Sequence, residues 1–558
     1  MGEWHDLYLM CDVLLLADVF ETYRECMMKT HKLDPAYYFT SPGYTWDAMQ
    51  LHTGVKLELL QDIDMMQMFE GGIRGGICMV SSQRYCEANN KDLGALYDPT
   101  KESNYIIAED CNNLYGSAMM KPLPHSQFMW EDVNTISCNL QQWSDKLHSD
   151  SRGAILKVDL HLPNDKALHD LMMDYPPISE VKEVQSSRLS QWQHAQNDKG
   201  IFSVGKKLVS DFEDKIEYTT HISNLLFYLQ MGWQLTRIHK VITYHEEAFL
   251  KPYIELNTNL RIKASNEGND FMKELYKLMV NSLFGKTMEN VRNRMQVDLV
   301  TDKEEMSKII NGSSAQRYQI IHDDMVAVER EKSITFLNKP LYIGFAVLEL
   351  SKMIMNEFHY GVMKPLYGDR CKLLYTDTDS LIYSIKTEDF YKDINVCGVI
   401  EHFDTTGLGK YGLPEINKVV PGKFKYDAGG QITEFVGIRS KMYGYQYIDN
   451  KGLLNDKLRI KGIQQAFTKH HAKVDHLVDS VNGFDTEIDT AKFVQIQKKK
   501  QQIESVEVEK KCLVNYDSKR WIASDGITQY PYGHYKIAEL EPKKKVTIGV
   551  KSSPALKV

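Results

Sequence analysis

The chain lacks the marks of a secreted or membrane protein. Its 558 residues hold nine cysteines, an odd number with no Cys-x-x-Cys pair, which argues against a disulfide framework and against a zinc ribbon. Long apolar runs are also missing. The stretch from Val13 to Leu16 is bracketed by Asp12 and Asp18 with no basic region ahead of it, a poor signal peptide, and nothing approaches the roughly 20 apolar residues of a membrane span. Asp6 spoils the myristoylation pattern that Met1-Gly2 would open. A soluble protein of a reducing compartment, nucleus or cytoplasm, is expected. Excess positive charge is absent as well: the net charge of −8 argues weakly against nucleic-acid binding. Its distribution alters that reading. Residues 451–558 carry 20 Lys plus Arg against 13 Asp plus Glu, leaving −15 on residues 1–450. The basic part can supply phosphate contacts and the acidic part metal ligands, although a run such as Lys498 to Lys500 reads equally well as a solvated surface.

What the chain does have is length and apolar content. With 558 residues and 43% hydrophobic residues it exceeds one core, so several domains are expected, with no internal repeat and no low-complexity segment. Residues 7–31 read as a helix with Leu7, Met10, Val13, Leu14 and Ala17 on one buried face, broken by Ser41-Pro42-Gly43. Gly71-Gly72-Ile73-Arg74-Gly75-Gly76 reads as a connector, since glycine permits close backbone approach. Tyr105 to Ala108 form a strand running into Asp110, residues 246–285 are helical, Met295 to Val300 and Ile334 to Leu337 are strand-like, and residues 343–360 form a helix.

Three motifs carry chemistry. Asp110-Cys111-Asn112-Asn113-Leu114-Tyr115 comes first, Lys277 to Gly285 second, and Tyr375-Thr376-Asp377-Thr378-Asp379-Ser380 third. In a strand, residues two apart face one side, so Asp377 and Asp379 would converge at a hairpin tip, where bound Mg²⁺ removes the cost of ionising both. Alone, an Asp-x-Asp is usually a turn or a weak calcium loop. On a helix, Lys277, Asn281 and Phe284 share one face, while Leu275, Met279 and Leu283 form a second, core-facing stripe. The spacing is long: 167 residues separate Asp110 from Lys277, and 100 separate Lys277 from Asp377.

In this order the motifs resemble motifs A, B and C of family B DNA polymerases. Asn112 to Met119 looks like the protein-primed branch that includes adenovirus, small-phage and Polinton-type transposon members. The resemblance implies a right-hand α+β architecture and two-metal nucleotidyl transfer. Asp110, Asp377 and Asp379 become catalytic, with Asp110, Asp379 and the Cys111 carbonyl as metal ligands for two Mg²⁺ ions, Mn²⁺ being an alternative. Tyr115 would lie under the incoming sugar and exclude a 2′-hydroxyl. Lys277, Asn281 and Phe284 would hold the nucleotide, with Arg261 and Lys263 upstream. Lys441 and Tyr443 resemble the Lys-x-Tyr motif at the primer terminus. Arg74, Gly75 and Gly76 resemble a Tyr-x-Gly-Gly DNA-binding connector, with Ile73 at the Tyr position. Glu109 stands where an apolar residue is usual, either a spare carboxylate or an inactivating change, and Phe284 replaces a Tyr.

The implied division is an exonuclease remnant over 1–57, connector and first palm segment over 58–160, a first insertion over 161–245, and fingers over 246–290. A second insertion over 291–342, a second palm segment over 343–450, a thumb over 451–540 and a basic tail over 541–558 follow. Tyr8 and Asp12 resemble a third exonuclease motif whose partners are missing, so no complete proofreading site is expected. The implied partners are template–primer DNA, deoxynucleotides and a terminal protein offering a priming hydroxyl, with no membrane. His470, His471 and His476 read as a surface helix. Two other readings stand beside this one: a catalytically dead, transposon-derived DNA-binding protein, and an RNA-templated polymerase, for which adjacent aspartates would be expected.

Overall fold

The structure is a computed structural model and describes residues 2–136, 139–197, 205–484, 490–499 and 502–541. Lys500 and the tail beyond Glu541 lie outside the described residues. Helices and strands are mixed throughout, as an α+β reading requires. At the centre is a six-stranded sheet in the order Cys78–Val80, Cys371–Asp377, Ser380–Lys386, Asn104–Cys111, Phe424–Tyr426 and Phe403–Asp404, antiparallel except for the last pair. Its middle strands are buried on both faces, which is why they read as apolar runs without alternation. Tyr105, Ile107 and Cys111 enter the main core, while Ile106 and Ala108 face a second cluster with Leu374, Ile382 and Phe435. Helix Leu341–Phe358 is apolar nearly all round and is buried accordingly, packing on the short helix Leu114–Met119.

Around this centre sit smaller units. Leu123–Trp130, Gln234–Glu247, Arg152–His161 and Lys215–His221 form a four-stranded sheet with its own core of Leu156, Val158 and Trp233. Helices Lys251–Asn266 and Asp270–Thr287 form a hairpin whose turn needs Gly268 at φ 70°. Gln296–Val300, Met325–Arg330 and Ala315–His322 make a three-stranded sheet. Tyr85–Glu87, Gln431–Arg439, Met442–Ile448 and Leu454–Ile460 make another four-stranded sheet, packed against helix Val474–Val481.

Four expectations require correction. The first helix runs Gly2–His31, yet Leu7, Met10, Val13, Leu14 and Ala17 are exposed. Its packing is confined to the far end, where Met27 and His31 are buried and Tyr23 and His31 meet Tyr44. Periodicity identifies an apolar face; it does not supply a neighbour. Ser41-Pro42-Gly43 does not end that helix but opens the next, Ser41–Thr53, because Pro42 fits a first turn that needs no N–H. Ile334 to Leu337 form no strand: Ile334 and Phe336 are exposed and have no partner edge among the described residues. Finally, Asp377 and Asp379 do not lie on one continuous strand. Asp377 ends one strand and Asp379 sits in the hairpin turn, where Asp377 pairs with Ser380.

Candidate active site

Strand Asn104–Cys111 delivers Asp110 beside the tip of the 371–386 hairpin. Ser380 is its cross-strand partner, and the Cys111 N–H donates to the Asp379 carbonyl at 2.7 Å. The turn is tight: Thr378 adopts φ 66°, the Asp379 N–H donates to the Asp377 carbonyl at 2.8 Å, and the Thr378 N–H donates to the Ile77 carbonyl at 2.8 Å. Gly76 explains how the connector comes so close, because a Cβ there would fall 2.5 Å from Thr378 Cγ2. The following segment is equally local in origin. Asn113 takes a left-handed φ of 47° before helix Leu114–Met119, and a side chain at Gly116 would collide with it.

The electrostatics separate the three aspartates. Burial pushes the Asp110 carboxyl up to about 7, with the charge of Asp379 adding to the rise, while Lys457 and Lys277 act against it. Burial also raises Asp379. Asp377 is paired instead: Lys441 Nζ donates to both of its carboxylate oxygens at 2.7 Å. Two carboxylates are thus left clustered without a bonded cation, and hard oxygen donors of that kind suit Mg²⁺ or Mn²⁺. Among the described residues no group of three or more His, Cys, Asp or Glu side chains forms a metal cluster.

The other motifs gather here. The rings of Tyr115 and Phe284 stack at 4.4 Å and 14°, joining motif A to motif B and contributing about 0.5–1.5 kcal/mol beyond burial. On helix Asp270–Thr287, Met279 and Leu283 are buried with Tyr276 and Val280, Leu275 is half-buried, and Lys277 and Asn281 remain exposed. Lys277 lies 3.7 Å from Glu274. From the opposite side, the Lys441 N–H donates to the Tyr375 hydroxyl at 3.0 Å, and the Tyr443 ring lies 4.3 Å from that of Tyr375. Asp377, Lys441 and Tyr443 open onto a cleft of about 400 Å³ walled also by Arg459 and Lys461.

The family model for DNA polymerase type B, organellar and viral, matches residues 1–360. The chain belongs to that family. Among solved structures, Phi29 DNA polymerase in an orthorhombic crystal form is similar with a TM-score of 0.50 and 12% identity, over 85% of this chain and 68% of that one. At that identity the likeness is one of fold. Phi29 DNA polymerase complexed with primer–template DNA gives a TM-score of 0.47 and 13% identity over 88% and 70% of the two chains. A DNA polymerase of Kluyveromyces lactis is 25% identical over 205 residues, 37% of this chain and 18% of that protein. The chain therefore spans less than a fifth of the length of that curated relative.

Within this type B chain, some expected site residues lie elsewhere. Arg74 is not a free cation at a DNA surface: its guanidinium is buried over the Tyr218 ring at 3.8 Å, donates to the Thr219 carbonyl, and lies 3.6 Å from Glu349. Gly75 is exposed, and Gly76 is committed to Thr378. Arg261 is half-buried on the helix preceding Lys277, and Lys263 is exposed, 3.9 Å from Glu267. Glu109 faces away from Asp110. It is buried, Leu381 and Tyr426 are its partners on the two flanking strands, and burial pushes its carboxyl well above the usual range. Its side chain therefore lies on the strand face opposite Asp110, away from the Asp110–Asp379 pair. Burial likewise raises the Cys111 thiol. Arg459, Lys461 and Lys457 were missed. The signal was present in Lys457 to Lys461, where basic residues recur at alternate positions along and just past strand Leu454–Ile460.

Proposed function

We propose that this chain is a DNA-directed DNA polymerase that adds deoxynucleotides to a primer 3′-hydroxyl. The observation that carries this reading is the meeting of Asp110, at its strand, and Asp379, in the adjoining hairpin turn, within electrostatic reach of Lys277 and beside the stacked Tyr115–Phe284 pair. Asp110, Asp379 and the Cys111 carbonyl would hold two Mg²⁺ ions, or Mn²⁺. Bound there, the ions supply Lewis-acid chemistry, acidifying the primer hydroxyl and neutralising the triphosphate.

The protein's own groups do the rest. Lys277 and Asn281, one helical turn apart, bind the triphosphate, with Arg261 and Lys263 adding charge from the neighbouring helix. Phe284 supplies an apolar surface for the base, and Tyr115 fills the space a 2′-hydroxyl would need. Lys441 and Tyr443 bind the primer terminus, lysine through phosphate and tyrosine through its ring and hydroxyl. Template–primer DNA and deoxynucleotides are the substrates, and a terminal protein is the priming partner in this reading.

In the same reading, palm segments over 58–160 and 343–450 carry Asp110 and Asp377, and fingers over 246–290 hold the helix pair. Insertions over 161–245 and 291–342, an exonuclease remnant over 1–57, a thumb over 451–540 and a tail over 541–558 complete it. The test is primer extension with Mg²⁺ on matched DNA and RNA templates. Extension on DNA with deoxynucleotides is expected; extension confined to RNA, or DNA binding without extension, would replace this reading with one of its rivals.

A further inference from the structure

The buried Arg74 leads to a feature that the nucleotide chemistry does not use. Arg74, Glu349 and Lys352 are buried or nearly so, and they meet where three elements join: the connector, helix Leu341–Phe358 and strand Lys215–His221. Glu349 sits on a helix otherwise apolar on nearly every side, so its charge requires compensation. Compensation is complete around it. Lys352 Nζ lies 3.1 Å from Oε1, Arg74 Nη2 lies 3.6 Å from the same oxygen, and Oε2 accepts from the Thr220 hydroxyl at 2.9 Å and the His221 N–H at 3.4 Å. Despite full burial, the two cations hold the Glu349 carboxyl below its ordinary range, so it is ionised.

What this triad grips is backbone. Lys352 Nζ donates to the Arg74 carbonyl at 2.9 Å, while the Arg74 guanidinium donates to the Thr219 carbonyl. Two and three residues further on, Gly76 packs on Thr378 and the Ile77 carbonyl accepts the Thr378 N–H. Thr378 is the residue between Asp377 and Asp379. A buried ionic cluster therefore fixes the Arg74 end of a short strap, and the other end, Gly76 and Ile77, seats the turn that carries Asp379.

We infer that Arg74, Glu349 and Lys352 are positioning residues for nucleotidyl transfer, acting through the Arg74–Ile77 strap on the Thr378 turn. This rests on the proposed function. A well-packed apolar substitute would serve stability equally well. Holding the strap in register is the role the charges fill here, and displacement of a reacting group by about 1 Å can cost up to 100-fold in rate.

The test uses the full chain carrying Glu349→Gln, and separately Lys352→Met. Two quantities are read: kcat and KM for deoxynucleotide addition, and Mn²⁺ affinity measured by electron paramagnetic resonance without DNA. The expected result is a fall in kcat of about tenfold or more with the deoxynucleotide KM within about twofold, accompanied by weaker Mn²⁺ binding. Thr220→Val, which removes one hydrogen bond to Glu349, gives the same pattern at smaller size and serves if the first variants fail to fold. Variants that lose thermal stability while kcat and Mn²⁺ affinity stay at wild-type values would overturn the inference. Absence of extension by the wild type would count against the polymerase reading, whereas the Mn²⁺ measurement judges the triad independently.

Discussion

At the residue scale, Tyr115 illustrates how one ring can serve two surfaces. Its face stacks on Phe284, so its position is set by motif B as well as by its own helix. If the discrimination it provides is steric, Tyr115→Val should raise ribonucleotide use relative to deoxynucleotide use by about tenfold or more, measured as the ratio of kcat/KM values. Retained activity with unchanged selectivity would leave Tyr115 as a packing ring alone. Asp110 yields a prediction that needs no substrate. Its carboxyl is held at about 7 in the fold, against roughly 3.9 in an unfolded chain. The folded state thus binds that proton more tightly, and the stability gained is complete below the unfolded value and lost as pH rises through about 7. In chelator-treated protein, Asp110→Asn should therefore melt about 2 °C or more above wild type near pH 8 and close to it near pH 4.5. Equal melting at both pH values would show that Asp110 is not strained by burial. Much at this scale was legible. An aspartate pair, a lysine and an asparagine one turn apart carry their chemistry in their identities. Arg74 and Glu109 were not legible, because burial of a charged side chain depends on neighbours far away in sequence, such as Glu349 and Tyr426.

At the element scale, the hairpin tip and the connector form one mechanical unit. The expectation of two carboxylates on one strand face fails here because Thr378 adopts a left-handed conformation and folds the strand back between them. Strand periodicity ends at a turn, and the alternation around Asp377 does not reveal where. Close approach was expected at the glycine pair, and it occurs at Gly76 alone, against Thr378, while Gly75 faces open space. Gly76→Ala should accordingly displace the turn and lower primer extension about tenfold or more, with a smaller effect on DNA affinity. Extension at wild-type rates would mean that the turn tolerates the added methyl and that the strap does not set the aspartates. Helices were easier to foresee than their surroundings. Residues 7–31 form a helix as expected, yet its apolar positions over residues 2–22 are exposed.

At the scale of the whole molecule, residues separated by hundreds of positions converge because the central sheet interleaves early and late segments. Asn104–Cys111 is flanked by Ser380–Lys386 and by Phe424–Tyr426, which places motif A between motif C and the approach to the Lys-x-Tyr segment. The order of the motifs was readable; their juxtaposition needed a sheet whose strand order crosses the chain order. Tyr8 and Asp12 stand exposed on the first helix, apart from the sheet that carries Asp110. On the reading of residues 1–57 as an exonuclease remnant, no mononucleotides should be released from a 3′-mismatched primer in the absence of nucleotides, and degradation abolished by Asp12→Ala would contradict that. The central claim is that Asp110 and Asp379 carry out nucleotidyl transfer on DNA. Its most direct measurement is single-turnover incorporation of one deoxynucleotide into a DNA primer–template with Mg²⁺, comparing wild type with Asp110→Asn and Asp379→Asn. The account predicts incorporation by the wild type and a loss of roughly a thousandfold or more in each variant, since amides are poor ligands for a hard cation, with DNA affinity changed far less. Incorporation by either variant at the wild-type rate would contradict it.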